Sequence, residues 1–492
     1  MKSARTTRTR PWWSNALVAP SRPLAPLALA LAWMSAGCPA TSDEVRPPPD
    51  QFYFPTGMDI APAGPAGSDG SVLFVASSNS DLRFDSAVVH VVDLDRVDRL
   101  IGQWLDPAQS GVVPDGYEDC DVDLMTPYTL VCDEAQFLVK DASVRIGNFA
   151  TDLKVQKLAD DKVRLFVAAR GDPSLTWIDY DREKRDLSCG EEGRFPECDD
   201  AHRLVQLHDD PDLPTIADEP FGLFVDSGNA SRDGYVVVTH LSNGAVSLAS
   251  APYDGGAPEL ADAIAGLFQA DASTGVRGTT GVAGRLPGSE NDRIYVTSRT
   301  DTRVQTLIVV QPPAVPVATG EPEVEPPQLV PAESFLMSAA VGNGAVGSST
   351  NGRGIGFSGD GNTAYIVNRL PPMLHIIDTS MTGGTPRNEF VAAVEICPQG
   401  SNLTVAGDRV FVACFANGQI WSIDPTGAVV DAIIDVGRGP NALVASPDGN
   451  RLYVTNNLED TVAVIDLTPE SKTRNQVVLR LGRPRLSSGE IQ

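Results

Sequence analysis

"SPDGNRLYVTNNLEDTVAVIDLTPE", residues Ser446 to Glu470, contains a turn, an apolar strand, a polar turn and a second strand that closes on Asp466. A lone hairpin of this kind is marginal in water, so its meaning depends on whether it recurs. The strand core Leu452-Tyr453-Val454-Thr455 has six counterparts: Leu73-Phe74-Val75-Ala76, Leu165-Phe166-Val167-Ala168, Val236-Val237-Val238-Thr239, Ile294-Tyr295-Val296-Thr297, Ala364-Tyr365-Ile366-Val367 and Val410-Phe411-Val412-Ala413. That makes seven copies in all.

A second mark travels with the first. Asp466 follows Val454 by 12 residues, and the same interval separates Val167 from Asp179, Ile366 from Asp378 and Val412 from Asp424. In the first copy Val75 and Asp93 lie 18 apart, which the longer turn "SSNSDLRFDS" explains. The third and fourth copies carry Ser250 and Ile308 at that offset. Upstream of each core lies a short Gly- or Pro-led strand, from "PTGMDIAP" (55–62) to "PNALVAS" (440–446), with alternating side-chain character. After the Asp comes a further strand, as in "GAVVDAIIDVG" (427–437) and "QVVLRLG" (476–482).

The unit is therefore four short antiparallel strands, which bury both faces only when stacked radially. The reading is an all-β, seven-bladed propeller of four-stranded blades. Eight blades are the alternative if the 92 residues between Val75 and Val167 hold a further unit, but residues 101–145 show no second core strand. "DGNRLYVTNN" resembles the repeat of the YVTN family of β-propellers, named for the tetrapeptide that stands here as Tyr453-Val454-Thr455-Asn456. The resemblance is sharp in the last repeat and degenerate in the other six. It implies a propeller over residues 53–485 whose ends meet in one sheet. Propellers of this superfamily include lactonases, cofactor-dependent dehydrogenase subunits and bacterial surface proteins, so the resemblance does not choose a function.

The N-terminus has a different character. Lys2, Arg5, Arg8, Arg10 and Arg22 precede the apolar run Leu24 to Met34 and the small residues before Cys38. This is the layout of a secretory signal over residues 1–37, and the run is too short to span a bilayer. "SAGC" resembles the bacterial lipoprotein signal, with Ser35 where that family usually carries Leu, Val or Ile. The expectation is an exported protein lipidated at Cys38 and anchored in the cell envelope, with 38–52 as a tether and 486–492 as a tail. Six further cysteines fall into close successive pairs, Cys120/Cys132, Cys189/Cys198 and Cys397/Cys414, which suit disulfides in an oxidising compartment better than a metal, since no CxxC occurs.

The formal net charge is −26, and removing the five signal cations leaves about −31. Such a surface repels phosphate backbones and excludes nucleic acid as a partner. No residue set proclaims catalysis. His90 and His375 fall at equivalent strand positions and read as structural, His202 and His208 belong to an acidic loop, and His240 follows a core strand near a channel mouth. The recurring Asp93, Asp179, Asp378, Asp424 and Asp466 read as turn chemistry, because a turn is needed in every blade and an active site once. "DCDVD" (119–123) lacks a full calcium-loop spacing. "GNGAVGSSTNGRG" (342–354) lacks the Lys-Ser/Thr of a phosphate cradle and reads as a flexible loop. The Pro-rich run 311–331 reads as an extended insertion between strands.

On these grounds the sequence favours a non-catalytic, envelope-anchored binding or scaffold module for a protein or glycan partner. The alternative is a lactonase-like hydrolase at the channel mouth. No catalytic, metal-binding or cofactor-binding residue and no cofactor are expected, and a covalent haem is excluded because no CxxCH occurs.

Overall fold

The computed structural model describes residues 45–484 apart from 62–63, 65–70, 108–110, 191–192, 206–214, 269–276, 290–291, 313–324, 342–344 and 349. The expected signal, Cys38, His208, the 486–492 tail and the centre of the Pro-rich run lie outside the described residues.

Seven antiparallel sheets follow one another along the chain, each built around four strands. The fold is the seven-bladed propeller that the repeated core strand implies. The innermost strands are Pro55–Ala61, Ala150–Lys157, Pro220–Asp226, Thr279–Gly284, Thr350–Phe357, Gly400–Ala406 and Pro440–Ala445, for blades 1 to 7. All seven carry a register shift at the same place in the repeat, immediately after the residue paired with the position two beyond the central core residue. Each bulge re-aims the following residues toward the axis.

The second strands are the repeated cores, and they are buried on both faces because a neighbouring blade covers each side. That is why they read as continuous apolar runs instead of alternating ones. The apolar clusters accordingly lie between blades: Phe411 and Ile420 of blade 6 pack with Leu452 and Ile465 of blade 7. The wheel closes the same way, with Leu73 and Val75 of blade 1 against Tyr453 and Val464 of blade 7.

Three features depart from expectation. The first and last strands do not share a sheet: Pro55–Ala61 belongs to blade 1 and Gln476–Leu481 to blade 7. What joins them is the insertion after Asp93. It forms the helix Leu94–Trp104, capped by the Asp93 carboxylate on the Arg96 N–H, and then a hairpin closed by the Cys120–Cys132 disulfide. Its strand Leu130–Cys132 runs parallel to Leu479–Leu481 at the outer edge of blade 7. The tether expected over 38–52 is docked at its end, since Phe52 is fully buried and its N–H donates to Glu134. Finally, "GNGAVGSSTNGRG" is not a loop throughout, because its last residues begin the inner strand Thr350–Phe357.

Disulfides join Cys189 to Cys198 and Cys397 to Cys414 as well, completing the sequential set. The strand-closing Asp residues cap turns in three blades: Asp378 accepts from the Ser380 N–H and Asp424 from the Thr426 N–H, both at 2.9 Å. Asp466 accepts from the Thr468 N–H, from the Ser471 and Thr473 hydroxyls and from Arg451. Asp179 instead holds the buried Arg164 guanidinium at 2.7 Å.

Candidate functional site at the channel mouth

The first residues after the bulge line a channel along the axis, about 970 Å³ in volume and bounded by inner-strand residues of all seven blades. Its wall is held together by a ring of side-chain bonds from each blade to the next. Thr56 donates to the Ala150 carbonyl at 2.8 Å, Thr151 to Pro220 at 3.1 Å, Thr280 to Gly352 at 2.6 Å and Ser401 to Pro440 at 3.1 Å. Asn441 closes the ring by donating to the Thr56 carbonyl at 3.0 Å. Carboxylates reinforce the seam deeper in the channel, where Asp59 accepts the Val155 N–H and Asp152 the Leu223 N–H. Burial holds the Asp59 pKa up despite the neighbouring Lys154 charge. Burial pulls Lys154 down, but the Asp152 and Asp59 carboxylates outweigh it and its pKa is raised. These groups are committed to one another and to backbone, so they act as structure.

The mouth at the start of the inner strands is different. Counting three residues on from the central residue of each core strand gives Ser78, Arg170, Leu241, Arg299, Arg369, Phe415 and Asn457. Six of these seven, all but Ser78, border the channel, and three of them are arginines. Arg353 joins them from the inner strand of blade 5. Arg170 is neutralised by Glu219 at 2.6 Å, and the Arg170 hydrogen bond holds that carboxyl below the usual range. Among the described residues no ion pair joins Arg299, Arg353 or Arg369 to a carboxylate. Burial and the charges of Arg369 and Arg299 push Arg353 down to about 9. Burial and Arg299 likewise depress Arg369. Glu219 also feels the Arg299 charge, but Arg353 and Arg369 carry like charge in a partly desolvated mouth with no ion pair to a carboxylate, which attracts an anion.

Arg369 anchors to the wall through its Nε, which donates to the Gly400 carbonyl at 2.8 Å. The Nε of Arg353 is buried without a hydrogen-bond partner. Backbone also approaches closely here: a Cβ at Gly354 would stand 2.6 Å from Asn402 Oδ1, and one at Gly281 would meet the Arg353 carbonyl at 1.8 Å. The glycines of "NGRG" therefore let blade 5 deliver Arg353 to the axis past its neighbours.

The four described histidines do not contribute to this mouth. His90 bonds Ser143 and is driven to about 3 by burial. His375 is buried with neither ring nitrogen partnered and sits at about 4. His240, the candidate nearest a mouth by sequence, is buried between the Asp218 carbonyl and the Ser247 hydroxyl. Burial brings it to about 4 as well. His202 pairs with Asp199 and packs on Trp177. Among the described residues no cluster of His, Cys, Asp or Glu could hold a metal ion. The sequence does not single out these arginines, although the repeat register carries Arg170, Arg299 and Arg369, because they form no local motif.

No family model matches the chain, and no curated protein sequence does. Among solved structures, the chain is similar to a putative 6-phosphogluconolactonase from Bacteroides fragilis at 13% identity and TM-score 0.46, over 90% of this chain and 99% of that one. It is also similar to the periplasmic gluconolactonase of Pseudomonas aeruginosa at 16% identity and TM-score 0.47, over 88% and 97%.

Proposed function

We propose that this propeller captures a small organic anion in the arginine-lined mouth and acts on it as a lactonase-like hydrolase. One observation supports the reading: Arg299, Arg353 and Arg369 line one mouth and, among the described residues, none is ion-paired to a carboxylate, in a chain whose net charge is −26. A protein so acidic has no general need for three neighbouring cations, and their mutual repulsion is relieved by an anion. When an ester carbonyl is attacked, charge develops on its oxygen, and fixed guanidinium donors stabilise it. The carboxylate we assign as proton acceptor is Glu219, which bonds the channel-lining Arg170 at 2.6 Å; that bond keeps it ionised and makes it a weak base.

Lactones are the cyclic esters to try first, because two of the structural neighbours bear that activity in their names. The test is proton release on adding carboxylate-bearing lactones, followed with a pH indicator. The wild type should release acid, Glu219→Gln should lose turnover while retaining product binding, and Arg353→Gln should lose both. Product binding without turnover in the wild type would reduce the reading to a receptor.

The scaffold reading keeps one observation of its own. Leu124 and Met125 are 99% and 89% exposed at a turn braced by the Asp123 carboxylate and by the disulfide-closed hairpin. Their hairpin runs parallel to the last strand, so the turn leaves from the face opposite the arginines. Such a rigid apolar tip suits a partner protein. Leu124→Ser with Met125→Ser should then change co-fractionation with the envelope without altering lactone turnover. Export and lipid attachment at Cys38 belong to the same proposal, and the intact mass of membrane-fraction protein tests them, since an unprocessed chain would exclude them.

A further inference from the structure

Five blades place a small hydrogen-bonding residue at the position after the inner-strand bulge: Thr56, Thr151, Thr280, Ser401 and Asn441. Blades 3 and 5 do not. They carry Phe221 and Arg353, and these two meet across blade 4, the guanidinium carbon 5.7 Å from the ring centroid. Neither is needed to hold the wheel, because other groups restore the missing junctions. Thr239 donates to the Thr280 carbonyl at 2.7 Å and Arg369 to the Gly400 carbonyl at 2.8 Å. Two substitutions that break the same structural rule, and whose seams are repaired elsewhere, touch each other over the channel.

We propose that Phe221 and Arg353 form a recognition plate for a flat, conjugated carboxylate, the ring of the ligand packing beside Phe221 and its carboxylate taken by Arg353 with Arg299 or Arg369. The inference rests on the reading of this mouth as an anion site. A guanidinium is planar and stacks on aromatic faces while its edge stays free for a bidentate carboxylate. The Nε of Arg353 is buried and unpartnered, so the edge it offers is that of its terminal nitrogens, which no carboxylate among the described residues occupies. Phe149 and Phe415 line the same mouth and extend the apolar surface. A polyhydroxylated acid would press its hydroxyls against rings that cannot bond them. Inorganic phosphate would use the cations and leave the rings idle.

The test is isothermal titration of the mature protein with three probes: benzene-1,2-dicarboxylate, cyclohexane-1,2-dicarboxylate of the same charge, and inorganic phosphate. The aromatic acid should bind about tenfold more tightly than its saturated counterpart, which stacking of one ring supports. Phe221→Leu, which keeps most of the volume, should abolish that preference and leave the saturated acid bound, with its thermal midpoint checked to confirm the fold. Arg353→Gln should weaken both acids. Equal binding of the two dicarboxylates, or a preference indifferent to Phe221→Leu, overturns the plate and leaves the anion site standing. Absence of binding by all three probes overturns the anion site itself.

Discussion

Blade 7 and blade 5 share a register and divide the labour of the molecule. In blade 7 the charged and amide groups of the repeat are largely spent inside the fold, although the Tyr453 hydroxyl and the Asn456 Oδ1 are buried without a hydrogen-bond partner. Asn441 and Asn457 donate to carbonyls of blade 1, Asn456 to Val436 and Thr461, and Asp466 gathers Arg451, Ser471 and Thr473. In blade 5 the corresponding positions hold Arg353 and Arg369, whose charge the fold does not cancel. The blade closest to the repeat pattern is thus the one with the least left over for a ligand. Departure from the repeat, together with an uncompensated charge, marks where a ligand belongs.

The comparison can be broken most forcefully in blade 7. Asp466 is 1% exposed and pairs with a largely buried Arg451, so Asp466→Ala strands that cation. Loss of one partner of a buried pair costs about 3 kcal/mol or more. Urea unfolding should show this loss with anion binding unchanged in the folded protein, and a weakened anion site would contradict the division between the blades.

Acid stability comes next, and it sets blade 5's own core against its mouth. His375 has a folded pKa of about 4 against an ordinary 6.5, so the unfolded chain binds more protons between those values. The stability it contributes is present above pH 6.5 and lost as pH falls toward 4, up to about 3 kcal/mol. Thermal midpoints should drop over that window, and His375→Phe should flatten the profile without touching anion affinity. His90 and His240 act in the same sense.

At the mouth the expected effects are smaller for the fold and larger for the ligand. Arg353→Gln should cut anion affinity about tenfold or more, since a charged hydrogen bond contributes about 1.5–3 kcal/mol. The same change should leave the midpoint of unfolding unaltered or raise it by roughly 1 kcal/mol after screening by solvent, because the folded pKa of this cation lies below its ordinary value. That penalty is full at neutral pH and fades as pH rises through about 9. Anion binding should accordingly be level from pH 7 to 8 and weaken above pH 9. Mildest of all, Thr280→Val removes one bond of the inner ring and should cost about 1 kcal/mol. A much larger loss would show that the seams, rather than the inter-blade clusters, hold the wheel.

The blade count, the core strands, the turn role of Asp378, Asp424 and Asp466 and the disulfide pairs were all legible in the sequence, because each repeats or lies close along the chain. The arginine mouth was legible in principle. Stacking the seven cores in register puts Arg170, Arg299 and Arg369 in one column, but their convergence appears only once the strands are wrapped about an axis. Arg353 was harder, since the glycines around it, needed for close approach of blades 4 and 6, look like those of a loop. The partnership of Leu130–Cys132 with Leu479–Leu481 could not be read at all, because no local pattern encodes a pairing between segments so distant.

That distant pairing bears on how the molecule is made. Thr129 donates to Val477, a partner 348 residues further along. At roughly 5–20 residues per second the hairpin is synthesised well before the strand it will join. Throughout that interval its apolar edge has nothing to pair with, which is the circumstance that invites wrong associations. The Cys120–Cys132 bridge spans the two strands of this hairpin and nothing beyond them. Once formed, it keeps the waiting piece in its final shape, so the last strand of the chain docks onto a finished surface.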